Sequence, residues 1–447
     1  MNEKETGLLA EARARLSDMF PDLPPVDAHL DRQRIEPVLL KVAEKLGDNF
    51  PYQHPLYVGQ MLKPPHPVAR IAYALAMDIN PNNHALDGGR ASSRMEKDAI
   101  AALADMIGFK THLGHLTSGG TVANLEALWV ARELAGGGRV LASSEAHYTH
   151  SRMSGVLSMG FSVIGVDRGG RMDVEALAAE LERGDVACVV ATLGTTSQGA
   201  IDPLEKILPL ARAAGVRVHV DAAYGGYFKL AAHGGPVLER AFAAMAEADS
   251  VVIDPHKHGL QPYGCGAVLF RDPQVGRVYR HDSPYTYFSS DELHLGEISL
   301  ECSRPGASAV ALWATLELLP LEPGGEFAAG LDDSLAAARE LHAWVQKSED
   351  FIELAPPMLD IVVFGAKAAR ASDASQRARA VFDAAAERGL HLALLQVTRA
   401  LAEPWWAGLE WDAETVTVLR CCLMKQEHRV WLPRITALLE ESAAAAR

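Results

Sequence analysis

Ser250-Val-Val-Ile-Asp-Pro-His-Lys-His-Gly259 is a short apolar run that breaks at a proline and then displays one lysine, Lys257, between His256 and His258. The run reads as a buried strand, and the remainder as the turn that ends it. A lysine in such a turn is ordinarily solvated. If it is hemmed in by buried surroundings instead, desolvation lowers its pKa and its amine becomes a usable nucleophile toward an aldehyde.

Three upstream segments favour the second reading. Val216-Arg-Val-His-Val-Asp-Ala-Ala-Tyr-Gly-Gly226 has period-two valines that describe a half-buried strand delivering Asp221 to its carboxyl end, where an acid can hold a proton on a ring nitrogen. Leu116-Thr-Ser-Gly-Gly-Thr121 opens the helical pattern of Val122, Leu125, Leu128 and Trp129, and glycines with hydroxyls at a helix start leave backbone N–H groups free for a phosphate. His147 follows the next apolar run and can lie flat on an aromatic ring. A phosphate cradle, a stacking imidazole, a carboxylate for a pyridine nitrogen and a Schiff-base lysine are together what pyridoxal phosphate (PLP) requires.

The chain resembles the group II PLP-dependent amino-acid decarboxylases, of fold type I in the aspartate aminotransferase superfamily. The resemblance is carried by Thr117-Ser-Gly-Gly-Thr-Val-Ala-Asn-Leu-Glu-Ala-Leu128, Gly194-Thr-Thr-Ser-Gln-Gly-Ala-Ile-Asp-Pro203, His219-Val-Asp-Ala-Ala-Tyr-Gly-Gly226 and Asp249-Ser-Val-Val-Ile-Asp-Pro-His-Lys257. Weaker likeness reaches out to His54-Pro55 and to Cys302-Ser-Arg-Pro-Gly306. The resemblance implies decarboxylation of an L-amino acid to the amine and carbon dioxide through an internal aldimine on Lys257. It places Asp221 on the pyridine nitrogen, His147 on one ring face and Ala223 against the other. Gly120, Thr121 and His256 become phosphate or ring neighbours, Thr195 a cofactor contact, and Asp254 a polar group near the phosphate. The family's tryptophan after the lysine is replaced here by His258. Two alternatives stay open, a carbon–carbon lyase similar to those that cleave phosphorylated sphingoid bases and a decarboxylation-coupled aldehyde synthase.

The protein selects the reaction by positioning the bond to be broken, and Lys257, His147 or a tyrosine can return the proton to Cα. Tyr287, or else Tyr285, resembles the family's mobile-loop tyrosine and is expected to close over the site and return the proton to Cα, with His147 or Lys257 as the donor otherwise; both tyrosines also read as ordinary loop aromatics. Arg420, ending a C-terminal strand, reads either as a fork for a substrate carboxylate or as a structural ion pair. Arg90 and Arg94 read as substrate contacts or as solvated side chains, and Asn83-His84 resembles a substrate-side loop. The His-x-x-His pairs His112/His115 and His147/His150 lack a third ligand at metal spacing, so no metal is expected.

With 447 residues and 49% apolar composition, the chain suits two packed α/β lobes. We expect an N-terminal arm over residues 1–85 that wraps a neighbour, a large PLP-binding domain with a mostly parallel sheet over 86–325, and a smaller α/β domain over 326–447. The formal charge of −15, without a basic block, argues against nucleic-acid or anionic-membrane binding. The start has no signal-peptide pattern, no charge-free run reaches the roughly 18 residues of a spanning helix, and five cysteines show no disulfide framework, all of which point to the cytoplasm. By the resemblance the active unit is a homodimer with shared sites, to which the arm and the 285–306 region, including Arg304, contribute.

Overall fold

A computed structural model of the chain describes residues 1–24, 31–280 and 293–447. Its strands are β1 (Leu113–Thr117), β2 (Arg139–Ser143), β3 (Gly160–Ile164), β4 (Val186–Thr192), β5 (Arg217–Asp221), β6 (Ser250–Ile253), β7 (Gly266–Phe270), β8 (Phe351–Glu353), β9 (Ile361–Ala366), β10 (Ala393–Thr398) and β11 (Thr415–Cys422). The first seven form one sheet in the order β1-β7-β6-β5-β4-β2-β3. Within it β2 to β6 pair in parallel, whereas β7 runs antiparallel to both β1 and β6. The central strands are buried end to end, Val189, Val190, Val220, Val251 and Val252 being wholly inaccessible, as a sheet covered by helices on both faces requires.

The remaining strands form an antiparallel sheet in the order β10-β11-β9-β8, reached through the helix Glu326–Lys347. The expected mostly parallel central sheet is therefore present, and a small second sheet follows it. The apolar core crosses between the two sheets: Leu193 and Ile201 cluster with Leu359, Ile361, Val416 and Val418.

Residues 1–85 are not simply an arm reaching outward. The Val58 N–H donates to His391 O and the Cys422 N–H to Val58 O, which stitches this segment to the chain's own second sheet. The helix Pro67–Met77 packs on the helix Ala307–Leu318. Among the described residues the helix Arg32–Leu46 alone has no buried residue; Ile35, Val38, Leu39, Val42 and Leu46 lie exposed at helical spacing.

Arg304 is likewise held within its own chain. Its guanidinium lies 3.0 Å from Glu96 Oε1 and donates to Leu116 O at 2.6 Å, with both side chains buried. Glu96 in turn accepts from the Leu116 N–H and from Asn83 Nδ2. This pair fixes the end of β1, so Arg304 does not reach toward a partner. Asn83, wholly buried and bonded to Ser92 and Glu96, belongs to the same framework and not to a substrate-side loop.

Arg304→Met leaves the Glu96 carboxylate buried without its cation and should destabilise the fold by about 3–5 kcal/mol. A lowered urea midpoint, partly restored by adding Glu96→Leu, is the expected result.

Candidate active site

A cavity of about 280 Å3 opens at the carboxyl ends of β1, β4, β5 and β6, where parallel-sheet proteins place ligands. Gly120, Thr121, His147, Asp221, Ala223, Asp254, His256 and Lys257 all line it. Strand register brings them together: Thr192 lies abreast of Asp221 across β4 and β5, and β6 runs beside β5 into the turn that carries Lys257. That turn is tight enough to require Gly259, since a Cβ there would lie 2.5 Å from Tyr227 Oη and 2.6 Å from Pro255 Cα.

Asp221 is buried and fully engaged. Oδ2 accepts from His150 Nε2 at 2.8 Å and lies 3.5 Å from Asn124 Nδ2, while Oδ1 accepts from the Ala223 N–H at 3.1 Å. Burial alone would raise its pKa; the hydrogen bond from His150 and the nearby charge of Lys257 outweigh it and hold the acid well below the usual carboxylate range. Behind Asp221 runs a polar chain in which Ser250 Oγ donates to His219 Nδ1 at 2.9 Å and His219 Nε2 donates to Asn124 Oδ1 at 2.7 Å. Burial pulls His219 down to about 3, which matches the neutral tautomer this chain needs.

Lys257 departs from the expected low pKa. Burial does pull it down, but its Nζ lies 3.0 Å from Asp254 Oδ2, and the charges of Asp254 and Asp221 together raise its pKa above the ordinary lysine value. Two carboxylates thus favour the protonated amine. His256 donates from Nδ1 to Cys265 O at 2.7 Å, and burial keeps its pKa low. His147 Nδ1 accepts from Thr149, through its hydroxyl at 2.7 Å and its N–H at 3.3 Å, which fixes the ring's rotation; burial lowers its pKa as well.

The helix Gly120–Ala135 begins at the cavity with Gly119 as its cap and no side-chain capping bond. The N–H groups of Gly120 and Thr121 have no intrahelical acceptor, whereas those of Val122 and Ala123 donate to Gly119 O. Gly119 adopts φ +153°, and a Cβ on Gly120 would come within 2.8 Å of Asp254 Oδ2, so a bare backbone is needed on both counts.

Thr195 does not line the cavity; its hydroxyl accepts from the Ala200 N–H at 2.9 Å, and the neighbouring Gly194 and Thr196 form the wall. Arg90 and Arg94 are exposed and away from it. Arg420 is buried and donates to Thr196 O at 2.7 Å and Gln60 Oε1 at 3.2 Å, with no carboxylate partner among the described residues. Tyr285 and Tyr287 lie outside the described residues. The sequence reading missed His150, although His147-x-x-His150 was its signal, and it missed Asn124 and Thr192.

Residues 66–367 match the model of the pyridoxal-dependent decarboxylase conserved domain. The chain belongs to that family. This pyridoxal-dependent decarboxylase is 30% identical over 269 residues to the probable L-tyrosine/L-aspartate decarboxylase of Methanothermobacter thermautotrophicus, covering 58% of this chain and 70% of that one. It is 29% identical over 361 residues to the L-2,4-diaminobutyrate decarboxylase of Acinetobacter baumannii, covering 71% and 68%. The crystal structure of mouse CSAD in apo form shares the fold, with a TM-score of 0.79 and 21% identity over 95% of this chain and 90% of that one. The decarboxylase uses pyridoxal phosphate, and the residues present fit it. An uncapped glycine-rich helix start suits a phosphate, Asp221 suits a ring nitrogen, and the Thr192 hydroxyl and Asp254 Oδ1 stand buried without partners.

His219 supplies a pH test. Its unfolded imidazole titrates near 6.5 and the folded one near about 3, so between these values the unfolded chain binds more protons. The stability contribution is intact above pH 6.5 and is lost as pH falls toward about 3. His428, also pulled down to about 3 by burial, acts with the same sign. His219→Gln should therefore show a flatter, though not level, fall of the thermal midpoint with acidification; a slope equal to wild type would remove His219 from this role.

Proposed function

We propose that the enzyme decarboxylates an L-amino acid with Lys257 as the residue that carries the cofactor and Asp221 as the acid that holds its ring nitrogen protonated. The observation that carries this reading is the Asp221 carboxylate, hydrogen-bonded by His150 at the floor of the cavity that Lys257 also lines. Bound pyridoxal phosphate supplies an electron sink for the pair left on Cα when carbon dioxide departs. His147 would cover one face of the ring and Ala223 the other. Ser118, Gly120 and Thr121 would hold the phosphate through the helix start, with His256 and Asp254 beside it. Lys257, already paired with Asp254, holds a proton within the cavity and is the first candidate to deliver it to Cα, with His147 second.

Arg420 and Gln60 are assigned to a substrate carboxylate. A buried guanidinium spent on neutral carbonyl and amide oxygens keeps its charge for a ligand, and Thr196 connects it to the cavity wall. The relatives act, by their names, on aspartate, tyrosine and 2,4-diaminobutyrate; these amino acids form the assay panel, with amine and carbon dioxide as the products to be measured.

We also place the enzyme in the cytoplasm as a homodimer, with a division into units at about residue 325. Support comes from five free thiols, four of them buried, and from the apolar stripe of the helix Arg32–Leu46, which needs a covering surface. Among the described residues no helix is long and apolar enough to cross a membrane. Sedimentation at twice the chain mass is expected.

Borohydride reduction followed by peptide mapping should find the pyridoxyl group on Lys257, and Lys257→Ala should lose both the label and turnover. Asp221→Asn should retain cofactor while turnover falls by orders of magnitude, because an amide cannot stabilise the ring proton; unchanged turnover at full cofactor content would overturn the assignment. Arg420→Met should raise KM for the best substrate far more than it lowers kcat, and a selective loss of kcat would move Arg420 out of the carboxylate site.

A further inference from the structure

A second cavity, of about 350 Å3, begins one residue past the active-site lysine: Lys257 lines the first cavity and His258 the second. It lies between Lys63–Pro67, the end of the helix Ala307–Leu318, the helix Glu326–Lys347 and the residues after β11. Its wall is divided by chemistry. Leu319, Phe327 and Leu331 are buried apolar residues, whereas Lys63, His66, Lys425 and His258 bring four nitrogen bases to the same space, His66 Nδ1 being taken up by the Val68 N–H.

These bases are unequally engaged. Lys425 Nζ donates to Tyr57 O at 2.8 Å and stands 5.4 Å from the centre of the Tyr57 ring, so it is held in place. Lys63 feels the charges of Asp360 and Glu427 but bonds to no described residue, and burial pulls it only to about 8, which leaves it an ammonium at neutral pH. His258 is 1% exposed and both of its ring nitrogens lack hydrogen-bond partners; Nε2 lies 3.3 Å from Asp360 Oδ2, without the alignment of a hydrogen bond. A buried imidazole with two unmet nitrogens, beside an ammonium that has neighbouring acids but no hydrogen bond to a described residue, is an unfavourable arrangement unless something fills the space. Tyr224 does not meet the need, because its hydroxyl is donated to Asp360 Oδ1 at 2.6 Å.

We propose that this cavity binds a small aliphatic carboxylate, its head held by the Lys63 ammonium and an N–H of His258 and its hydrocarbon body against Leu319, Phe327 and Leu331. Lys63 and Lys425 line the cavity and Asp360, 3.3 Å from His258 Nε2, does not, which argues against a cationic ligand. Glu326 and Glu427 lie exposed at the mouth, where solvent screens them. The apolar wall argues against inorganic phosphate, which offers nothing to bury there.

The test uses the holoenzyme and 4-methylpentanoate, which has no amine with which to react at the cofactor. Calorimetric titration should show saturable binding at one site per chain. Lys63→Met should weaken it by about tenfold or more, the worth of one hydrogen bond from a charged donor. Gly330→Phe should abolish it by filling the cavity: Gly330 lies in the helix Glu326–Lys347, and a Cβ there meets only Gln426 Oε1 at 3.4 Å. Cofactor content reports whether each variant is folded, and Lys63→Met keeps the test in force should Gly330→Phe not fold. Absence of saturable heat, binding unchanged in the folded variants, or equally strong binding of phosphate or of 3-methylbutylamine would each overturn the proposal.

Discussion

At the carboxyl end of β5 the Asp221 carboxylate has been taken out of water, and burial by itself favours the neutral acid. The hydrogen bond from His150 Nε2 reverses that preference. An ionised acid is what a pyridine nitrogen needs beside it to remain protonated, and the His150 hydrogen bond, together with the charge of Lys257, keeps Asp221 fit for that part in the proposed reaction. His150 reaches Asp221 because the helix Thr149–Val156 begins directly after His147, which places one imidazole at the cavity wall and the other beneath it. The chain Ser250–His219–Asn124 then limits how Asp221 can move, and it does so with neutral groups that bring no competing charge.

The same carboxylate shapes the lysine. Asp221 and Asp254 jointly keep the Lys257 amine protonated before the cofactor arrives, which avoids an uncompensated pair of buried acids. Condensation with an aldehyde requires the neutral amine. A phosphate held at the open helix start beside Asp254 would alter the field in which that lysine sits.

Much of this was legible in the sequence, because it is written in local patterns. Period-two valines gave β5 and placed Asp221 at its end, the Gly-Gly dipeptide marked the helix start, and Pro323-Gly-Gly325 marked the break before the helix Glu326–Lys347. What escaped depends on contacts between distant segments. An apolar run carries no sign of its direction, so β7 gave no hint that it runs antiparallel between β1 and β6. Arg304 and Glu96 are far apart in sequence and meet only once β1 is in place. Lys257 was misjudged because the sequence shows burial, while the charge balance depends on Asp254 folding back over the turn and on Asp221 arriving from the next strand. The pairing of Val58 with His391 and Cys422, which joins the N-terminal segment to the second sheet, is likewise invisible in composition.

The position of β7 bears on how the protein comes into being. β1 pairs only with β7, Thr117 lying opposite Gly266, and through β7 it reaches β6. On the ribosome β1 and its glycine loop therefore emerge well before the strand that receives them, and they wait as an unpaired edge while β2 to β6 assemble in parallel. Closing so long a loop is slow because the chain entropy is lost before the contacts form. The glycine loop is thus among the last parts of the large sheet to be finished, and a nascent chain halted before residue 266 would hold Asp221 and Lys257 with the loop that completes their pocket not yet anchored.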